Sequence, residues 1–91
     1  MSDPATQAAR ALVEEAAAAV PGVRALYPTT LRPGAALVQL DRVRGTPRCR
    51  LRVATDLARP AAVVALEVAA AVRGALGAED ALVHVEIASI D

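Results

Sequence analysis

The residues with the most chemical potential lie in one segment, where arginines alternate with apolar side chains. Residues 48–53 are Arg-Cys-Arg-Leu-Arg-Val. A period of two is typical of a β-strand and places the three cations on one face and the apolar side chains on the other. A row of guanidinium groups on an exposed sheet face would suit RNA, lipid headgroups or another anion. Arg48, Arg50 and Arg52 are therefore the candidate anion-binding residues.

The same arginines have a second interpretation as a solvated sheet face. Asp41 and Glu86 are placed to pair with them from neighbouring strands. The chain has ten arginines against ten acidic residues, and a neutral chain is a poor match for nucleic acid, whose affinity rests on phosphate neutralisation. No aromatic side chain is interleaved for base stacking. These features favour the solvated face and make nucleic acid an unfavoured partner.

The remaining candidates for chemistry predict no catalytic site, cofactor or metal. Cys49 is the single cysteine, in about the region where iron–sulfur assembly domains of similar element order carry a functional cysteine. The alternation instead predicts that Cys49 is a buried small hydrophobe. His84 has only Glu86 beside it on the same strand face, which is too few ligands for a metal. Gly74–Gly77 matches the GxxG loop of KH domains, but its apolar centre and the strand after it predict a helix end.

The elements that position these residues predict one domain over residues 1–91. Their order is α-β-β-β-α-β, with two helices on one face of a three- to four-stranded sheet, an α+β two-layer sandwich. The predicted connection at 41–47 is a hairpin loop, because it contains Gly45 and Pro47. The predicted elements are a helix over 4–20, strands over 23–27, 35–40 and 48–55, a helix over 60–76 and a strand over 81–90.

Both helices show apolar residues at helical spacing. The first helix has a predicted buried stripe of Ala5, Ala9, Leu12, Ala16 and Val20. In the second helix the buried stripe is Val64, Val68, Val72 and Leu76. A second apolar row in that helix, Val63, Leu66 and Ala70, lies roughly opposite and predicts a partner interface. A sheet edge is the alternative interface. With one aromatic residue in 91, the core is small, and assembly into a homo-oligomer would supplement its stability.

The sequence also contains no targeting or spanning segment that we identify. Residues 1–4 are acidic rather than basic, and no apolar run follows them as in a signal peptide. Charged residues interrupt each alanine-rich run, which argues against a membrane span. These features predict a cytoplasmic protein.

Three stretches together resemble the alkaline shock and Gls-type general stress protein family, also described as envelope stress response proteins. They are the helix end Val20-Pro21-Gly22-Val23, the strand and helix from Leu51 to Arg73, and the closing strand Val83-His84-Val85-Glu86-Ile87. The chain departs from the family in its short tails, in its arginine-rich strand and in the turn Asp56-Leu57-Ala58-Arg59.

The resemblance implies a bacterial, non-enzymatic scaffold that self-associates and serves cell-envelope homeostasis under stress. It also implies a small integral membrane protein as the partner that holds the domain near the membrane. The family has no established catalytic residues to carry over. Two alternatives stay open from the residues: an RNA- or anion-binding domain that uses Arg48, Arg50 and Arg52, and an iron–sulfur assembly-type domain that uses Cys49.

Overall fold

The predicted α+β sandwich is confirmed by a computed structural model, which describes residues 4–30 and 33–90. Two helices cover one face of a four-stranded sheet, in the order α-β-β-β-α-β. The helices are α1 (Pro4–Ala18) and α2 (Ala61–Leu76), and the strands are β1 (Val23–Tyr27), β2 (Val38–Val43), β3 (Thr46–Thr55) and β4 (Leu82–Ile90).

The arginine-rich strand β3 is the centre of the sheet. It pairs in parallel with β4 along one edge, with Arg48 opposite Leu82 and Val53 opposite Ile87. Along the other edge it pairs antiparallel with both β2 and β1, which meet different halves of β3. Residues 46–51 pair with β2, and residues 52–55 pair with β1. Residues 48–55 of β3 therefore have a neighbouring strand on both sides.

The position of β2 corrects the sequence prediction. The predicted strand over 35–40 and the hairpin loop over 41–47 are wrong by about three residues, since β2 runs from Val38 to Val43. The true turn is Arg44–Gly45, and both residues have positive φ, at 52° and 81°. Two such residues form the tight turn whose twist matches a hairpin. The prediction missed this turn because arginine rarely adopts a positive φ, and because the polar residues of β2 are typical of a loop.

The buried face of α1 also differs from the prediction. The helix ends at Ala18 rather than at residue 20, and its fully buried residues are Val13 and Ala17. Of the predicted stripe, Leu12 is 55% exposed and Ala5 is also exposed, while Val20 is buried beyond the helix end. The error has a simple cause. Because seven of the 15 residues of α1 are alanine, several neighbouring stripes fit the 3.6-residue period equally well.

The core lies between α2 and the inward face of β3. Val64, Val68 and Val72 are fully buried, as predicted. They join a single cluster whose other fully buried members are Val13, Ala17, Val38, Cys49, Leu51 and Val53. The inward residues Cys49, Leu51 and Val53 of β3 thus belong to this cluster, which leaves Arg48, Arg50 and Arg52 on the uncovered face of the sheet, here called the open face.

The end of α2 confirms the structural interpretation of its Gly74–Gly77 segment. Gly77 adopts the left-handed conformation with φ 64° and caps the helix. The amide of Ala78 donates to the carbonyl of Arg73 at 3.1 Å, and that of Gly77 donates to Gly74 at 3.2 Å. These bonds close the last turn in the manner of a glycine C-cap. The segment is a helix end and not a loop between two helices.

Candidate functional site

The open face brings the three predicted arginines together, and two of them are held in ion pairs. Arg48 donates from Nε to Asp41 Oδ1 at 2.8 Å and from a terminal nitrogen to Oδ2 at 2.5 Å. This two-bond pairing holds the pKa of Asp41 below its ordinary value. Arg52 lies beside Glu86, with Nε 3.3 Å from Oε1. Neutralisation by adjacent carboxylates reduces the positive field that an anion would meet.

Arg50 is the remaining cation of this row. It is exposed and makes no ion pair with any residue in 4–30 or 33–90. Its neighbours are Gln39 on β2 and His84 on β4. A depression of about 520 Å³ adjoins this row at Arg52 and is lined by Tyr27, Pro28, Thr30, Arg52, Ala88 and Ser89. The open face therefore presents one unpaired arginine rather than a concentrated cationic site.

Cys49 and His84 lie on opposite faces of the sheet. Cys49 has no exposed surface, and burial raises the pKa of its thiol to about 11. His84 pairs with Arg50 in register and belongs to the open face. The two side chains that best suit metal or nucleophilic chemistry therefore cannot act together. Among the described residues, no cluster of three histidine, cysteine or carboxylate side chains is placed to hold a metal ion.

The outer stripe of α2, which consists of Val63, Leu66 and Ala70, is uncovered. Leu66 is 73% exposed and Val63 is 41% exposed, and Ala70 is exposed between them and the helix end. The opposite side of the helix is the fully buried valine row. A helix with one face in the core and a second apolar face in solvent is unusual for an isolated small domain. This stripe is the most prominent apolar surface that the sequence prediction singled out.

Charged residues border the outer stripe and are fixed by local contacts. Arg59 forms an ion pair with Glu67 and donates to the carbonyl of Pro21 at 2.7 Å. This pairing lowers the pKa of Glu67. On the other border, Arg73 donates from Nε to the carbonyl of Ala81 at 3.0 Å. Glu67 therefore makes one border of the stripe acidic near its middle. Arg73 makes the other border basic, further towards the C-terminal end of the helix.

A depression at the C-terminal end of α2 continues the outer stripe, and sequence reasoning missed it. Its volume is about 520 Å³, and it is lined by Ala70, Arg73, Gly74, Gly77, Ala78 and Glu79. It exists because two glycines follow Ala70 on the exposed side of the helix. The sequence does contain a sign of the depression, because Gly74 and Gly77 continue the spacing of the stripe. It was overlooked because a search for apolar residues does not count glycine.

No helix in the described part of the chain combines the length and apolar character needed to cross a bilayer.

The comparisons with known proteins identify a fold. No protein-family model and no curated protein matches the chain. Among solved structures it is similar to C-terminal domains of MamM. A double variant of that domain is 21% identical with a TM-score of 0.71, and the match covers 96% of this chain and 95% of that one. A zinc form matches at 21% identity and a TM-score of 0.70, covering 96% and 88%; a copper form matches at 22% and 0.65, covering 92% and 96%.

These findings correct the family resemblance drawn from the sequence. The assignment to the alkaline shock and Gls-type stress proteins is wrong, because the matching structures are MamM C-terminal domains. The stress-response and cell-envelope roles that depended on that assignment fall with it. The element order that suggested it is real. The same order of helices and strands occurs in more than one family, so order and weak motifs did not distinguish between them.

Proposed function

We propose that this domain is a non-catalytic binding module that associates with a second copy of itself through the outer stripe of α2. The observation that carries the proposal is the exposure of Leu66 and Val63 on a helix whose other face is fully buried. Burying such a stripe against an identical stripe would remove apolar area from water on both copies. It would also extend a core that contains no Trp or Phe.

The stripe is better suited to a protein surface than to a small ligand. It is a convex helix face, whereas small-molecule sites are concave and enclose most of the ligand. Its apolar residues lie within 63–70 and are bordered by Glu67 and Arg73. An apolar centre with charged residues at its rim is the usual composition of a protein–protein contact.

The proposal of a non-catalytic role rests on how the reactive side chains are arranged. The thiol of Cys49 is buried with a raised pKa, and His84 faces away from it. Arg48 donates two hydrogen bonds to Asp41, and Arg52 lies within ion-pair distance of Glu86. None of these arrangements places a nucleophile beside a base, which is the geometry that nucleophilic catalysis requires.

The cellular setting is a further part of the proposal. We place the domain in the cytoplasm, with a small integral membrane protein as a second partner. The sequence pattern supports the cytoplasmic location. The membrane-protein partner stays a prediction that no contact in the described chain addresses. The zinc and copper forms belong to MamM, and the ligand set here gives no basis for carrying a metal over to this chain.

Light scattering on the purified chain with a Leu66→Arg variant tests the self-association. We expect the wild type to show a mass that rises with concentration towards a dimer, and the variant to stay monomeric, because a buried unpaired guanidinium opposes association. Leu57→Arg is the matched control, since Leu57 is 78% exposed but lies outside the outer stripe. A wild type that stays monomeric at the highest soluble concentration contradicts the proposal.

Anion binding by the open face is not favoured by a specific observation. Of its three arginines, two are in ion pairs with residues of adjacent strands. It remains a prediction from the sequence, as does the role of Cys49 in an iron–sulfur assembly-type domain, which the burial of the thiol opposes.

A further inference from the structure

We infer that two copies pair their α2 helices antiparallel about a two-fold axis at Ala70, so that Leu66 of each copy enters the depression at Gly74 of the other. This inference rests on the proposed self-association and specifies its geometry. It follows from where the large and the small residues lie along one exposed helix face.

The large and small residues are arranged symmetrically about Ala70. Leu66 is four residues before it and Gly74 is four residues after it, so each is about 6 Å away along the helix axis. Val63 and Gly77 are likewise each seven residues from it. A two-fold axis at Ala70 reverses the second helix and brings each large residue to the level of a glycine. A parallel pair would instead set Leu66 against Leu66 and leave the glycine depression empty.

The depression has the lining that such a contact needs. It is bordered by Ala70, Arg73, Gly74 and Gly77. In an antiparallel pair, Leu66 of the second copy would lie at the centre of these four residues. Its volume of about 520 Å³ is ample for one leucine side chain. The residues of the partner helix would then insert between the residues of this one, as in other close helix pairs.

Gly74 provides an independent reason to expect close approach. It lies inside α2, where glycine is less favourable than alanine. A Cβ at this position would meet nothing within 4 Å in the isolated domain. The packing of the monomer therefore gives no reason for a glycine, whereas a second helix crossing at this point does.

The first test fills the depression. Gly74→Leu should leave the monomer as stable as the wild type or more so, since the site is open and helical. It should weaken self-association about tenfold or more, because the added side chain occupies the space for the incoming leucine. The control is Ala11→Leu, which adds a leucine at an exposed site on α1. Sedimentation equilibrium with a thermal melt of each variant gives both quantities. Undiminished association of Gly74→Leu would overturn the inference.

The second test fixes the orientation by disulfide cross-linking. An equimolar mixture of Leu66→Cys and Gly74→Cys should give a covalent dimer under mild oxidation, and neither variant should do so alone, because only residues 66 and 74 of different copies approach within disulfide reach. The wild type, whose Cys49 is buried, is the control. Cross-linking of Leu66→Cys to itself would overturn the antiparallel geometry.

The outcomes separate the two proposals. A monomeric wild type contradicts the self-association and the geometry together. A wild-type dimer that Leu66→Arg dissociates, but that Gly74→Leu leaves intact, contradicts the geometry alone.

Discussion

Burial decides the chemistry of Cys49. The side chain has no exposed surface and packs among the inward residues of β3. Desolvation disfavours the thiolate, which is why the pKa rises to about 11. A thiol that stays protonated near neutral pH is a poor nucleophile and a poor metal ligand. At this position the residue contributes packing rather than reactivity.

The raised pKa predicts how stability depends on pH. Below about pH 9 the thiol is neutral in both the folded and the unfolded chain. Between about pH 9 and about pH 11 the unfolded chain releases the proton that the folded chain retains, so stability falls as pH rises. Urea unfolding should therefore show the wild type losing about 2 kcal/mol more than Cys49→Ala across this range. If the difference in free energy of unfolding between the wild type and Cys49→Ala did not change over this pH range, the folded thiol would have the pKa of an exposed one.

The arginines of the open face show that a sequence pattern can predict which way side chains face without showing that those side chains form a binding site. The alternation of charged and apolar residues predicted the facing of β3 correctly, since Cys49, Leu51 and Val53 are all fully buried. The alternation alone did not determine whether the cations were free. The predicted pairing with Asp41 and Glu86 is confirmed, because the register sets Asp41 opposite Arg48 and Glu86 opposite Arg52.

At the scale of the elements, side-chain periodicity predicted most of the fold. The order of elements, β1, α2 and the facing of β3 and β4 follow from apolar patterns that only one arrangement satisfies. The stripe of α1 and the limits of β2 did not follow. Alanine contrasts too weakly with its neighbours to define one helix face, and the turn at Arg44–Gly45 has arginine at the position where asparagine, aspartate or glycine usually signals it. The outer stripe of α2 was predictable, whereas its glycine depression required the structure.

The junction between α1 and β1 depends on a glycine that contacts α2. Gly22 has φ +98°, and a Cβ there would lie 2.8 Å from Cγ2 of Val64. Gly22→Ala should therefore lower the free energy of unfolding by about 2 kcal/mol or more, through backbone strain and displacement of a core valine. Gly34→Ala is the matched control, since its φ is +74° but nothing lies within 4 Å. If both variants lost the same free energy of unfolding in thermal or urea unfolding, Val64 would be able to move aside at no cost, and backbone strain alone would account for the loss.

Three of the surfaces formed by residues 4–30 and 33–90 bear on the choice of interface. The open face has mostly paired charges, and β4 pairs with β3 alone among the described strands, which leaves a sheet edge. The outer stripe of α2 is apolar and continues into a depression. The outer stripe combines exposed apolar area with a depression on the same helix, which is why we assign the self-association to it.

The most direct test of that assignment is a concentration series of backbone amide spectra. If α2 is the interface, dilution should shift the amide resonances of residues 63–77 together, at one apparent dissociation constant, while those of β4 and of the open face stay in place. The Leu66→Arg variant should give the diluted spectrum at every concentration. Shifts that instead follow β4 or the arginines of β3, or a spectrum independent of concentration, would contradict the account.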